Sequence, residues 1–158
     1  MLSNFISVII CTYNRDKYIY NVLKSLAEND FPKDRYEIVL VNNNCTDNTE
    51  LECQRFHHDY PEVILKMFLE TNQGLSYARN RGINESQGDV LVFLDDDAFV
   101  GRNYLQNLFN YLVTHPNALA FGGEIDPFYE SGIEPAWISK WSYSWVSAID
   151  KGNEVCLF

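Results

Sequence analysis

Short runs of aliphatic and β-branched residues recur along this chain, each closed by polar turn residues and followed by apolar residues at helical spacing. Residues 5–11 form the first run, ended by Thr12-Tyr13-Asn14-Arg15, after which Ile19, Val22, Leu23 and Leu26 mark one helix face. Asn29-Asp30-Phe31-Pro32 stops that helix. Residues 37–41 predict a second strand, closed by Asn42-Asn43-Asn44-Cys45-Thr46-Asp47, with Asp47 and Glu50 as a capping pair opening a second helix. A third strand is expected over 63–69 and a third helix over 74–83, with Leu75, Ala78 and Ile83 facing inward. A fourth strand covers 89–94, Leu105, Leu108, Phe109 and Leu112 mark a fourth helix, and 118–125 predicts a fifth strand. Strands alternating with helices imply an α/β fold, a mainly parallel sheet with right-handed crossovers and helices on both faces. Ligands of such sheets sit beyond the carboxyl ends of the strands. The polar clusters 12–15, 42–47 and 95–97 all fall on that edge and are expected to meet in space.

The chain has 158 residues, enough for one domain with a real core, and its 46% hydrophobic and 22% charged residues are ordinary for a globular protein. Its net charge of −10 argues against a nucleic-acid polymer as partner. A small phosphate ligand remains compatible, because a metal and one or two arginines suffice locally. Cys11, Cys45, Cys53 and Cys156 have neither zinc spacing nor disulfide density, which predicts thiols in a cytoplasmic protein. Met1-Leu2-Ser3-Asn4 has no basic n-region, and no transmembrane segment is expected. The expected organisation is an α/β domain over residues 1–125 and an aromatic-rich tail over 126–158. In that tail Trp137, Trp141 and Trp145 share a helical spacing, read first as a helix docked on the sheet and second as a sugar- or partner-binding surface.

Three consecutive carboxylates, Asp95-Asp96-Asp97, follow the apolar run Val90-Leu91-Val92-Phe93-Leu94. Two readings stand side by side: an acidic loop capping the next helix, or oxygen ligands for Mg²⁺ or Mn²⁺ that would in turn hold a phosphate. No G-x-G-x-x-G follows the first strand and no G-x-x-x-x-G-K-[ST] occurs, which excludes the usual dinucleotide and P-loop motifs. Carboxylates do not follow the first strand, as a phospho-receiver would require. Arg79 could add charge-assisted bonds to a phosphate, whereas Arg81 reads as a solvated helix face. Cys53 and His57 lie one helical turn apart with His58 adjacent, and the plain reading of a helix end outweighs a zinc site.

Several segments together resemble one family. Ser7-Val8-Ile9-Ile10-Cys11-Thr12-Tyr13-Asn14-Arg15 is similar to the opening strand of family 2 glycosyltransferases with the Rossmann-like GT-A fold. Residues 37–47 resemble their second strand and its loop, 74–82 their third helix, Leu94-Asp95-Asp96-Asp97 their D-x-D motif, and Phe121-Gly122-Gly123 the strand after it. The resemblance implies a nucleotide-diphosphate-sugar donor site. Thr12, Tyr13, Asn14, Arg15, Asn42, Asn44, Arg79, Asp95 and Asp96 would bind the donor, with Asp95 also on ribose or metal. Asp97, with Asp95, would hold Mn²⁺ or Mg²⁺. The family usually carries aspartate where this chain has Asn42, and the amide changes the donor and acceptor pattern offered to the base.

The reaction implied is a single displacement at the anomeric carbon with inversion, UDP-type donors favoured, onto a carbohydrate or lipid-linked acceptor. Polysaccharide biosynthesis is the implied setting, and a lipid-linked acceptor would bring the chain to the inner face of the membrane. No catalytic residue is identified: the family's acidic E-D motif and the G-x-N-x-x-F segment before it do not occur up to Phe158. The chain is therefore expected to be the donor half of a larger enzyme, inactive alone, with a non-catalytic nucleotide-sugar-binding or scaffolding module as the alternative. A plain α/β interaction domain, the third reading, would bind no nucleotide.

Overall fold

The computed structural model describes residues 5–139, which divide after Pro116 into two compact units. The first unit carries a four-stranded parallel sheet made of β1 (Ile6–Thr12), β2 (Tyr36–Asn42), β3 (Leu65–Leu69) and β4 (Val90–Asp95), in the order β3-β2-β1-β4. Helices α1 (Asp16–Ala27), α2 (Thr49–Asp59), α3 (Leu75–Glu85) and α4 (Tyr104–Thr114) connect and follow the strands, and a 3₁₀ turn, Lys33–Arg35, precedes β2. In β1 and β2 almost every residue is buried, as expected for strands covered on both faces.

Alternation along the strands sorts the core into two layers. Val8 and Ile10 of β1 and Ile38 and Leu40 of β2 face α1, α2 and α4 through Ile19, Leu23, Phe56, Leu105 and their neighbours. On the other face Ile9, Val39 and Val41 form a smaller cluster with Ala78 of α3, with Cys11 and Phe68 packed at its margin. That face corrects the expected inner side of α3: Leu75 and Ile83 are 52% and 42% exposed, while Ala78 and Gly82 are buried. The helix lies flush on the sheet through two small residues one turn apart, so the larger apolar residues are carried outward.

The junction of α1 and α2 is fixed by Asp47, although not as an N-cap paired with Glu50. Asn48 occupies the cap position of α2 and makes no side-chain cap bond. One residue earlier, Asp47 Oδ1 accepts from the Thr49 N–H at 3.0 Å and the Thr49 hydroxyl at 2.6 Å, and Oδ2 accepts from the Asp16 N–H at 3.0 Å. One carboxylate thus serves the first turns of two helices. Burial acts to raise Asp47, but these bonds outweigh it and hold the carboxyl below its ordinary range. Asp47→Ala should lower stability by about 1–2 kcal/mol. A shift in the urea midpoint measures this, and an unchanged midpoint would show that solvent replaces both caps.

The second unit corrects two expectations. Residues 118–125 form no strand, and Leu119 is fully exposed. The adjacent glycines Gly122-Gly123 offer no side chain to pack, which weakens a strand whatever its flanking pattern. Trp137 lies in a turn, 69% exposed, rather than opening a docked helix. Trp141 and Trp145 lie outside the described residues.

Candidate functional site

The winding of the chain selects one place for a ligand. From β1 it steps outward to β2 and β3 with α1 and α2 on one face, then returns by α3 on the other face to β4, on the far side of β1. The boundary between β1 and β4 is therefore a topological switch point, where a crevice opens at the carboxyl edge. Cys11 stands beside Asp95 across that boundary, and Thr12 pairs with Asn42 on the other side of β1.

The loops after β1 and β2 are stapled together. Asn14 and Asn44 take positive φ, 55° and 68°, which asparagine tolerates better than most residues. Asn14 Oδ1 accepts from the Thr46 N–H at 2.8 Å, and the Asn14 N–H donates to Cys45 Sγ at 3.3 Å. The Cys45 thiol donates onward to the Thr12 carbonyl at 3.5 Å, while the Cys45 N–H donates to Asn42 Oδ1 at 2.7 Å. Two predicted ligand residues, Asn14 and Asn42, thus spend their side-chain oxygens on holding the loops. Tyr13 and Asn44 are exposed beside them.

The three aspartates form a turn closed by the Ala98 N–H on the Asp95 carbonyl at 3.1 Å. Asp95 and Asp97 are exposed and Asp96 is half-buried. Arg15 reaches across from the first loop, with Nε 3.7 Å from Asp96 Oδ1 and Nη2 4.0 Å from Asp97 Oδ2. Burial raises the Asp96 carboxyl; the neighbouring Thr12 hydroxyl and Arg15 oppose it, and Asp97 adds to it. The turn does not cap the next helix. That task falls to Asn29 at the end of α1, whose Oδ1 accepts from the Leu105 N–H at 3.0 Å while its amide donates to the Gly101 carbonyl at 3.0 Å.

Arg79 approaches the same turn from α3. With Ile9, Cys11, Leu75, Phe93, Leu94 and Asp95 it lines a shallow pocket, its guanidinium 5.9 Å from the Phe93 ring centre. Burial pushes the Cys11 thiol up to about 11, Arg79 opposing and Asp96 and Asp95 adding, so Cys11 is a neutral wall and no nucleophile at pH 7. Arg81 points elsewhere, paired with Glu85 at 2.8 Å and lying over Phe68. Cys53 is buried and pushed up to about 12 by that burial, while His57 and His58 are exposed, which disposes of a zinc pair there.

One residue that the sequence reading passed over organises this side. Asn43 is buried; its amide donates to the Glu70 and Asn72 carbonyls at 3.0 and 2.8 Å, and its oxygen accepts from the Gly74 N–H at 2.8 Å. Asn43 fixes the loop from which α3, and hence Arg79, starts. Gly74 itself has φ 138°, a conformation that suits glycine. The only signal in the sequence was the density of asparagine after a strand.

Among the described residues, no three His, Cys, Asp or Glu side chains converge as a metal cage. Two exposed carboxylates on one turn fit another kind of site. Mg²⁺ and Mn²⁺ need only one or two carboxylates when water and ligand phosphates complete the shell.

Residues 7–146 match the family described as Glycosyl transferase family 2. The chain belongs to that family. The poly(ribitol-phosphate) β-N-acetylglucosaminyltransferase TarS of Staphylococcus aureus is 34% identical over 111 residues, which are 69% of this chain and 19% of that protein. The crystal structure of S. aureus TarS 1–349 in complex with UDP-GlcNAc aligns with a TM-score of 0.66 at 30% identity, over 71% of this chain and 32% of that one. The mannosyltransferase PcManGT of Pyrobaculum calidifontis, in complex with GDP-Man and Mn²⁺, gives 0.65 at 31% identity, over 68% of this chain and 32% of that one. The sequence thus spans a fifth to a third of these relatives, and its parallel sheet flanked by helices is the family's Rossmann-like GT-A sheet. No helix among the described residues is long and apolar enough to cross a membrane.

Proposed function

We propose that this family 2 glycosyltransferase chain binds a nucleotide-diphosphate-sugar at the β1/β4 switch point and forms the donor half of an inverting, metal-dependent enzyme. The observation that carries the reading is the convergence there of the Asp95–Asp97 turn, the 12–15 and 42–45 loops, and Arg79. Thr12, Tyr13, Asn14, Asn42 and Asn44 line the base and ribose side. Arg79 and Arg15 meet the diphosphate, which a planar guanidinium binds through paired charge-assisted bonds. Asp95 and Asp97 hold Mn²⁺ or Mg²⁺, with Asp96 beside them on the donor side. When bound, the metal supplies Lewis-acid neutralisation of the departing nucleoside diphosphate. Arg79 adds fixed positive charge where the negative charge develops. A carbohydrate or lipid-linked hydroxyl is the acceptor, and a lipid-linked one would set the reaction at the cytoplasmic face of a membrane.

The neighbours' UDP-GlcNAc and GDP-Man support a nucleotide-sugar donor without deciding its base. We take UDP as the first donor to test, since the free Asn42 NH2 can donate to a uracil carbonyl, although it would serve other bases equally. Calorimetric titration with UDP, with and without Mn²⁺, is the test. Wild type should bind more tightly with Mn²⁺, and Asp97→Ala should lose that enhancement by roughly tenfold or more. Equal, metal-independent binding by both proteins would sink the metal assignment, and no UDP binding by wild type would sink the UDP assignment.

A further inference from the structure

We propose that Arg15 is an exchangeable counter-ion of the Asp96–Asp97 turn, and that a divalent cation enters the turn as a diphosphate draws this guanidinium away. The inference rests on the donor-site reading above and adds an order of events to it. At 3.7 and 4.0 Å the two contacts are longer than direct hydrogen bonds, and the side chain is half exposed. Arg15 is therefore held by charge and not by a locked fork, an arrangement that is weak and easily exchanged. Its backbone, in contrast, is anchored. The Arg15 N–H donates to Thr49 Oγ1 at 3.2 Å, and its carbonyl accepts from the Tyr18 and Ile19 N–H groups at 3.0 and 3.1 Å. The side chain can swing while its root stays at the start of α1.

A second observation marks this turn as incomplete. The Thr12 hydroxyl is buried, with the residue 1% exposed, and its neighbour, the Asp96 carboxylate, stands outside good hydrogen-bond geometry. Buried hydroxyls are ordinarily paired. A ligand oxygen at the turn would give this hydroxyl a better-placed partner. Arg15 and a divalent cation held by this turn would compete for the Asp97 carboxylate, and like charges at such close range repel strongly near a protein surface. A diphosphate resolves the conflict by giving the guanidinium a bidentate partner of its own. Nucleotide and metal then assist each other, and the coupling is reciprocal by linkage.

Mn²⁺ binding to the full chain, followed by the electron paramagnetic resonance of free Mn²⁺, tests this with wild type, Arg15→Gln, Arg15→Lys and the double variant Arg15→Gln/Asp97→Asn. With Mn²⁺ alone, Arg15→Gln should bind about five- to tenfold more tightly than wild type. Arg15→Lys, which keeps the charge, should stay near wild type, and Asp97→Asn should abolish the gain. Adding UDP should tighten Mn²⁺ binding to wild type and do so much less for Arg15→Gln. Mn²⁺ affinity unchanged or weakened in Arg15→Gln, Arg15→Lys behaving like Arg15→Gln, or no Mn²⁺ binding by any of these proteins would overturn the proposal. Failure of UDP to bind wild type would overturn the donor reading and the role of the diphosphate, while the comparison in Mn²⁺ alone still decides whether Arg15 guards the turn.

Discussion

Glu37→Ala should cost the fold about 3–5 kcal/mol, a large share of a small domain's stability. Glu37 is the second residue of β2 and is fully buried. Its Oε1 accepts from the Ser7 hydroxyl and the Gln87 N–H, both at 2.7 Å, and Lys66 Nζ stands 2.7 Å from Oε2. The Gly88 N–H donates in turn to Ser7 Oγ at 2.8 Å. One carboxylate therefore ties together β1, β2, β3 and the entry to β4, at the edge of the sheet away from the proposed donor site. Alanine would leave a buried hydroxyl and a backbone N–H without acceptors, besides a void. The charge carries a pH signature. Burial acts to raise Glu37, but Lys66, Ser7 and the Gln87 N–H outweigh it, so its folded value lies below the unfolded one. A depressed carboxyl stabilises above the unfolded value, about pH 4.3, and that contribution is lost as pH falls through the folded value. Urea midpoints between pH 7 and 3 should fall more steeply for wild type than for Glu37→Gln. Parallel curves would show that the carboxylate adds nothing beyond its shape.

Neither this cluster nor the staple at the other edge could be read from the sequence, for a common reason. Periodicity reports what each segment does by itself. The runs that became β1, β2 and β4 and the apolar faces of α1 and α4 were legible because their residues repeat at strand or helix spacing. Glu37, in contrast, looks like a polar strand start until the register sets Ser7 opposite it. Asn43 and Cys45 look like loop filler, since their partners lie 27 to 33 residues away in the chain. The apolar run Ala118-Leu119-Ala120-Phe121 misled in the opposite direction, because a pattern states a demand for burial and not its fulfilment. At the site, the Asp95–Asp97 turn, Arg79 and the 12–15 loop were legible from their position after strands or on a helix. The pairing of Arg15 with the acidic turn was not, because both residues are solvated types whose meeting depends on β1 and β4 being neighbours.

Gly82→Ala should be destabilising by about 1–2 kcal/mol, although alanine is the better helix former by about 1 kcal/mol. A Cβ built on Gly82 would lie 2.4 Å from Ile9 Cγ2, with Val41 Cγ2 3.5 Å away. That distance is far inside van der Waals contact. Ile9 is buried in the middle of β1 and β-branched, so its methyl cannot swing aside as a flexible chain end would. The strain is met by lifting α3 from the sheet, and α3 has few other anchors on that face: Ala78 is its only other buried residue. The helix carries Arg79 against Cys11 and Asp95, so the lift reaches the proposed donor site. Gly82→Ala should weaken Mn²⁺–UDP binding as well as lower the urea midpoint, whereas Glu37→Ala should affect binding only where the protein begins to unfold. The cause can be separated by a double-mutant cycle. Ile9→Leu removes the Cγ2 branch and should recover part of both losses in the Gly82→Ala background. Ile9→Val keeps that branch and should recover neither. Equal rescue by the two would mean that the cost arises from general overfilling of this layer and not from the single contact between Gly82 and the Ile9 methyl.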